Sequence, residues 1–252
     1  MAIAKADFIE GMAKGLAVLE SFGTERQRLN ATLAAQKAGL TRAAARRHLL
    51  TLAHLGYLES DGSWFWLSPK VLRFSGSYLG SARLPRVLQP LLNRLASDTG
   101  LSFSVVVLDG DECVIVARSG AGRTTAYGLH LGARLPAHAT STGRVLLAAK
   151  SKPELRTWLG GRDLPRLTPH TVTDARAFRL LVDAVRRQDF AVASEEHELG
   201  VHAVAVPLRN MRGEVVAALN GVSTVLRGDI VRLQADLLAP LWEAAREARA
   251  LV

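Results

Sequence analysis

The chain has 252 residues, room for two ordinary domains or one large one, and its formal net charge of +9 with a pI near 10.4 favours polyanionic partners. A single cysteine, Cys113, excludes an internal disulfide and any multi-cysteine metal cluster. No apolar run reaches the about 18 residues of a membrane span, and the N-terminal stretch MAIAKADFIE lacks an apolar signal core, so a soluble, cytoplasmic protein without a membrane partner is expected.

In chain order, AKGLAVLESF predicts an amphipathic helix through Leu16, Val18, Leu19 and Phe22. LNATLAAQKAG predicts a second, with Asn30 as N-cap and Leu33, Ala34 and Ala38 turned inward. Gly39 supplies the positive φ of a tight turn, and Thr41 caps the next helix. That helix lies in GLTRAAARRHLLTLAHLGYL. It presents Arg42, Arg46 and Arg47 on one exposed sector, kept slim by Ala43, Ala44 and Ala45, while Leu49, Leu52 and Leu55 are expected to bury. An ordinary surface helix with a solvated basic face has the same pattern. The surroundings decide between them. YLES-DGSW-FWL predicts a β-hairpin turning at Asp61-Gly62, and three helices followed by a hairpin make a winged helix-turn-helix. Residues 8–68 are therefore expected to bind double-stranded operator DNA. Thr41, Arg42, Ala43, Arg46 and Arg47 would sit at the major groove, and Gly62 and Ser63 of the wing tip near the phosphates.

Residues 69–99 predict a helical connector, broken near Pro85 and interrupted by Gly76, Gly80 and Pro90. Its stripe of Leu88, Leu91, Leu92 and Leu95 is expected to pack on the next domain or on a partner subunit. From residue 100 to 252 the pattern changes. SFSVVVL and ECVIVAR form a hairpin around Asp109-Gly110-Asp111, and the glycine-rich turn SGAGR follows. LGARLPAHAT (131–140) reads as a loop, STGRVLLAAK as a helix capped by Thr140 or Ser141, and SKPELRTWLGG as a helix with the capping box Ser151/Glu154. A helix capped by Asp174, the strands FAVAS, VHAVAVPL and EVVAALNGVS, and a closing helix kinked or interrupted at Pro240 complete the chain. The irregular mixture predicts an α+β domain with a mainly antiparallel sheet.

Thr140, Ser141 and Thr142 place hydroxyls at a helix N-terminus, where unpaired N–H groups and the helix dipole attract an anion. Arg134 can add a charge-assisted contact to a carboxylate, and a ring can rest on Tyr127, Leu129 or Leu135. The same hydroxyls can serve only as caps. The polar run Ser194-Glu195-Glu196-His197-Glu198 with His202 invites a metal reading, but neighbouring strand residues face opposite ways and no HExxH is present, so no metal or cofactor is expected. Ser141, His138 and Glu196 can be imagined as nucleophile, base and orienter, but there is no GxSxG elbow and no catalytic residue is assigned. Cys113, in the apolar run CVIVA, reads as a small buried hydrophobe.

The blocks GLAVLESF, GLTRAAARRHLLTLAHLGYL, LSPKVLRFSGSYL, LPAHATSTGRVLLAA, LTPHTVTD and GVHAVAVPLRNMRGEVVAALNGVS together resemble the IclR-type bacterial transcriptional regulators over essentially the whole length. TRAAARR followed by TLAHLGY is most similar to the branch that controls protocatechuate and 4-hydroxybenzoate catabolism. The resemblance implies an N-terminal winged helix, a linker helix, and a C-terminal GAF-like domain that binds a small aromatic acid. It also implies homodimers or tetramers on palindromic operators. It places His202 and Asn220, with the residues around Ala193, opposite the Ser141 loop, and it puts His138 and Thr142 where the branch carries an aromatic residue and a methionine. The glycine in Asn220-Gly221-Val222-Ser223 is extra and reads as a β-bulge. A non-aromatic small organic acid is the alternative effector. A DNA-binding protein without a ligand would leave the long C-terminal domain unexplained.

Overall fold

The computed structural model of the protein describes residues 3–23, 26–119, 129–224 and 230–252, and its contacts divide into two units, Met1–Tyr78 and Leu79–Val252. In the first, α1 (Glu10–Glu20), α2 (Ala31–Ala38) and α3 (Arg42–His54) precede a hairpin of β1 (Leu58–Ser60) and β2 (Phe65–Leu67). Local chemistry sets the helix boundaries. Asn30 Oδ1 accepts the N–H groups of Thr32 and Leu33 at 3.1 and 3.0 Å, Gly39 closes α2 with left-handed backbone, and Thr41 Oγ1 accepts from Ala44 N at 3.2 Å. Val18, Leu29, Ala34, Ala45, Leu49, Leu58 and Phe65 form the core.

Two leucines depart from expectation. Leu16 is exposed because Val18, two positions on, points to nearly the opposite side of α1 and is the one that faces the core. Leu55 is half exposed because α3 ends at His54, before Leu55 can join the buried stripe. The wing pairs Leu58 with Leu67 and Ser60 with Phe65. The Asp61 carboxylate accepts from Ser63 N and Trp64 N at 3.1 and 2.9 Å, which closes the turn and holds its pKa below the usual carboxylate value. Arg28 braces the wing, lying 4.3 Å over the Trp66 ring and 3.6 Å from Asp61.

The connector is two helices. α4 (Leu72–Ser81) crosses the division between the units, and Phe74 stacks on Tyr57 with ring centroids 5.7 Å apart. After a break at Ala82, α5 (Arg83–Thr99) starts with Pro85 in its first turn and continues through Pro90 without interruption. Leu88, Leu91, Leu92 and Leu95 are all buried in the core of the second unit. The leucine stripe is thus spent within its own chain and is not available to a partner subunit, and residues 83–99 belong to the C-terminal unit.

That unit contains β3 (Ser102–Asp109), β4 (Glu112–Arg118), β5 (Arg134–Pro136), α6 (Ser141–Ala148), α7 (Lys152–Leu159), α8 (Ala175–Gln188), β6 (Ala191–Ser194), β7 (His202–Arg209), β8 (Val215–Ser223) and α9 (Ile230–Ala248). The strands make one sheet in the order β5-β4-β3-β8-β7-β6, and every neighbouring pair is antiparallel. This is the expected α+β domain. Strand alternation gives the sheet two buried faces. One, with Phe103, Val105, Val204, Val206 and Leu219, packs against Leu88 and Leu92 of α5 and Leu237 and Leu241 of α9. The other, with Val106, Ile115, Ala205 and Ala218, packs against Val145 and Leu147 of α6 and Phe178 and Val182 of α8.

Three local expectations are corrected. Residues 131–140 are not simply a loop: β5 adds an edge strand through Cys113↔Leu135, and a 3-10 turn spans Ala137–Ala139. β8 passes through Gly221 without a bulge, because Gly221 keeps its pairing with both Phe103 and Val204. The missing side chain serves packing instead, since a Cβ there would stand 3.0 Å from both Leu237 and Phe103. Finally, α9 is not interrupted at Pro240.

Candidate functional site

Two surfaces collect the chemistry. The first is the front of α3. Thr41, Arg42, Ala43, Arg46 and Arg47 are all exposed, as are Gly62 and Ser63 at the wing tip. Ala45 and Leu49 anchor the opposite side of the helix in the core. Among the described residues, no acidic side chain pairs with Arg42, Arg46 or Arg47, so their charge is free for a polyanion.

The second is a cavity, partly open to solvent, between the sheet and the N-terminus of α6. Strand parity selects its floor: Ser104 and Val106 of β3, Ile115 of β4, Ala193 of β6, Ala203 of β7, and Asn220 and Val222 of β8. Leu129, Leu135 and Val201 add apolar wall, and Thr140, Ser141 and Thr142 close the α6 end.

The three hydroxyls differ in what they can still do. Thr140 is committed: its Oγ1 accepts the Gly143 N–H at 3.1 Å and donates to Cys113 Sγ at 3.6 Å. Thr142 Oγ1 donates to Thr140 Oγ1 at 3.5 Å. Ser141 Oγ is buried and has no partner. The first backbone-to-backbone hydrogen bond of α6 runs from Arg144 N to Thr140 O, so the N–H groups of Ser141 and Thr142 lie in the orphan turn of the helix. On the sheet side, Asn220 Oδ1 is likewise buried without a partner. The cavity therefore offers donors at one end, an acceptor on its floor, and apolar surface in between.

Gly143 holds this arrangement together. A Cβ at that position would fall 2.0 Å from the Ala137 carbonyl oxygen, so only glycine lets the 137–139 turn pack directly on α6. Burial pushes the Cys113 thiol up to about 11, which keeps it protonated and inert behind Thr140.

Other candidates fall elsewhere. Arg134 is half exposed and held outside the cavity by Glu112 at 2.6 Å and Asp109 at 2.7 Å, because β5 is an edge strand whose outer side chains meet the β3–β4 hairpin rather than α6. His138 is buried, but its Nε2 donates to the Pro165 carbonyl at 3.0 Å and the side chain does not line the cavity. His202 shares the parity of Val204 and Val206, so it lies on the α5/α9 face and bonds Ser194 Oγ at 2.8 Å. Leu129 lines the cavity; Tyr127 lies outside the described residues.

Sequence reasoning missed Ser104, Glu196 and Glu198, which also line the cavity, and Arg144 behind it. Ser104 was detectable, as a polar residue at cavity-face parity within SFSVVVL. Glu196 is buried in an ion pair with Arg144, which also donates to Val192 O at 3.0 Å and so ties the 195–200 loop to α6. Burial raises the Glu198 pKa; burial, then the neighbouring His138, lowers that of His197. Ser141, His138 and Glu196 are each directed to different places, so no nucleophile–base hydrogen bond joins them. Among the described residues, no three His, Cys, Asp or Glu side chains converge as a metal site, and no helix is long and apolar enough to cross a membrane.

Comparison with known proteins covers both units. Residues 11–62 match the IclR helix-turn-helix domain, and residues 76–249 match the C-terminal domain of the bacterial transcriptional regulator IclR. The Pca operon regulatory protein of Acinetobacter baylyi is 54% identical over 247 residues, covering 96% of this chain and 89% of the relative. The p-hydroxybenzoate hydroxylase transcriptional activator of the same organism is 51% identical over 251 residues, covering 98% and 93%. Among solved structures, the inducer-binding domain of the PobR transcription factor from Acinetobacter, a double mutant in complex with 3-hydroxybenzoic acid, is 47% identical with a TM-score of 0.64, covering 67% of this chain and 98% of that one. With an exposed, unpaired basic helix in one unit and a donor–acceptor cavity in the other, the chain belongs to the IclR family of DNA-binding bacterial transcriptional regulators.

Proposed function

We propose that this regulator senses a hydroxylated benzoate, of the 4-hydroxybenzoate or protocatechuate class, and adjusts transcription of aromatic catabolism genes by binding it rather than transforming it. One observation carries the reading: Ser141 Oγ and Asn220 Oδ1 are both buried, both without partners, and both line the same apolar cavity. An unpaired buried polar atom costs about 1–3 kcal/mol, which a ligand with matching groups recovers. The effector carboxylate takes the Ser141 hydroxyl and the first-turn N–H groups of α6. A ring hydroxyl donates to Asn220 Oδ1, and Val106, Ile115 and Leu129 hold the ring. The names of the two Acinetobacter relatives and the ligand of the PobR domain support the same class.

Calorimetry with 4-hydroxybenzoate, protocatechuate, benzoate and an aliphatic acid tests this. The hydroxylated rings are expected to bind tightest, and N220L is expected to erase their advantage over benzoate. Replacing Ser141 by Leu is expected to abolish the response while operator binding persists. Tighter binding of the aliphatic acid overturns the aromatic reading and favours the alternative effector.

On the DNA, Arg42, Arg46 and Arg47 approach base edges and Gly62 and Ser63 the phosphates. The regulator acts in the cytoplasm as a dimer or tetramer. Exposed Phe8, Met12 and Leu16 with Leu72, Phe74 and Tyr78 support an apolar contact between subunits, in place of the buried leucine stripe. Light scattering that gives a 27.1 kDa particle with and without operator overturns the oligomer.

A further inference from the structure

Within the second unit, and sharing no lining residue with the effector cavity, α7 and α8 flank an open groove of about 630 Å³. Its floor is apolar: half-buried Leu159 reaches the groove surface, over Leu155, which is buried in the core beneath. Its rims are cationic: Lys152 and Arg156 on α7, Arg176 and Arg179 on α8, all exposed and without an ion-pair partner among the described residues. The one acid lining it, Asp183, is bound to Arg186 at 2.7 Å. Arg186 in turn donates to the carbonyls of Ala148 and Lys150 at 3.0 and 2.7 Å, so that pair is occupied in closing the end of α6. Glu154 is used by the capping box with Ser151, and Asp174 caps α8, and among the described residues neither forms an ion pair with a rim cation.

Four uncommitted cations on both rims of an apolar-floored groove are complementary to an acidic segment that also carries apolar side chains. A small anion would leave most of the groove unfilled. A nucleic-acid backbone would meet the cations but leave the leucine floor without a partner. We propose that the α7–α8 groove is a docking site for an acidic, leucine-bearing segment of a partner protein, a contact of the regulator distinct from operator and effector.

The experiment uses the full chain and fluorescence anisotropy. The probe is a labelled helical peptide of about 15 residues, glutamates with leucines at helical spacing, and the control replaces each leucine by serine at equal charge. The leucine peptide is expected to bind at least about tenfold tighter than the serine peptide, and R156E/R179E to weaken it by about tenfold or more. Operator and hydroxybenzoate affinities are expected to stay unchanged at about 0.15 M salt, where distant charges are screened. If R156E/R179E shifts the thermal midpoint, R156Q/R179Q carries the comparison. Equal affinity for the two peptides overturns the proposal in favour of a general polyanion surface. Non-operator duplex DNA weakened by the same substitutions makes the groove a nucleic-acid contact. A change in oligomeric state makes it an interface between copies. No binding of either peptide refutes it outright. None of these outcomes touches the effector reading, which is measured separately.

Discussion

Both units of this protein contain a helix capped by threonine, and they put the same local motif to opposite uses. In α3, Thr41 accepts from the N–H three residues on, Ala44, and the first two turns that follow present Arg42, Arg46 and Arg47 on an exposed front. In α6, Thr140 accepts from the N–H three residues on, Gly143, and the turn that follows is buried against the sheet and carries Ser141 and Thr142. The first arrangement suits an extended polyanion: charges stand free in water, reach many phosphates, and sacrifice little hydration until the DNA arrives. The second suits one small anion. A cavity cannot hold several bare arginines cheaply, so helix N–H groups and a hydroxyl supply the positive end without a buried net charge. The one arginine in α6, Arg144, is neutralised by Glu196. The cap starts the helix in both cases, and burial decides which chemistry the start can host.

The position three residues after the cap breaks this comparison most sharply. Gly143→Ala drives a methyl into the Ala137 carbonyl and is expected to destabilise the effector unit by about 1–3 kcal/mol or more and to abolish hydroxybenzoate binding. Ala44→Gly, its counterpart in α3, is expected to cost only about 1 kcal/mol. Chemical denaturation of both variants, with calorimetry on the first, checks the difference.

Next come the exposed arginines. If α3 reads DNA with its front, alanine at whichever of Arg42, Arg46 and Arg47 contacts a base costs about 1–3 kcal/mol of operator affinity and relaxes specificity at one base pair. Gel shifts at two salt concentrations should show this with effector binding intact. Wild-type affinity in all three variants would remove α3 from the interface.

A smaller effect separates the units by pH. The His197 pKa is lowered by burial and by the nearby His138, so the unfolded chain takes up its proton first as pH falls. The contribution is fully present above the ordinary value of 6.5 and is lost below it. Thermal midpoints of the effector unit are expected to decline below that pH, and His197→Gln to flatten the decline.

The smallest effect concerns Arg134. Its bonds to Asp109 and Glu112 are surface pairs, so Arg134→Ala is expected to change stability by less than about 1 kcal/mol and effector affinity not at all. A clear loss of hydroxybenzoate binding would return Arg134 to the site.

These outcomes trace back to how far each feature reaches along the chain. The caps at Asn30, Thr41, Thr140, Ser151 and Asp174 were legible in the sequence, because each is satisfied by an N–H two or three residues away. The wing turn was legible for the same reason, as was the antiparallel character of strands alternating with short turns. The front of α3 needed only helical periodicity. Half of the candidate cavity lining was legible through the α6 cap, and Asn220 was named only through family resemblance. His202 was misplaced because its face depends on register: Val204 and Val206 set the parity that carries it to the α5/α9 side, and the pairing Ala205↔Asn220 sets the floor of the cavity. Arg134 was misplaced because its partners stand on strands that sequence distance does not announce. Capped helix starts and tight turns follow from interactions within a turn of the chain, and the sequence alone determines them; the edge strand β5 and the helices that run on through Pro90 and Pro240 do not. Which side chains meet across the sheet, which polar atoms are left without partners, and which glycine must yield to a neighbouring carbonyl depend on register and packing between distant segments, and only the folded chain decides those.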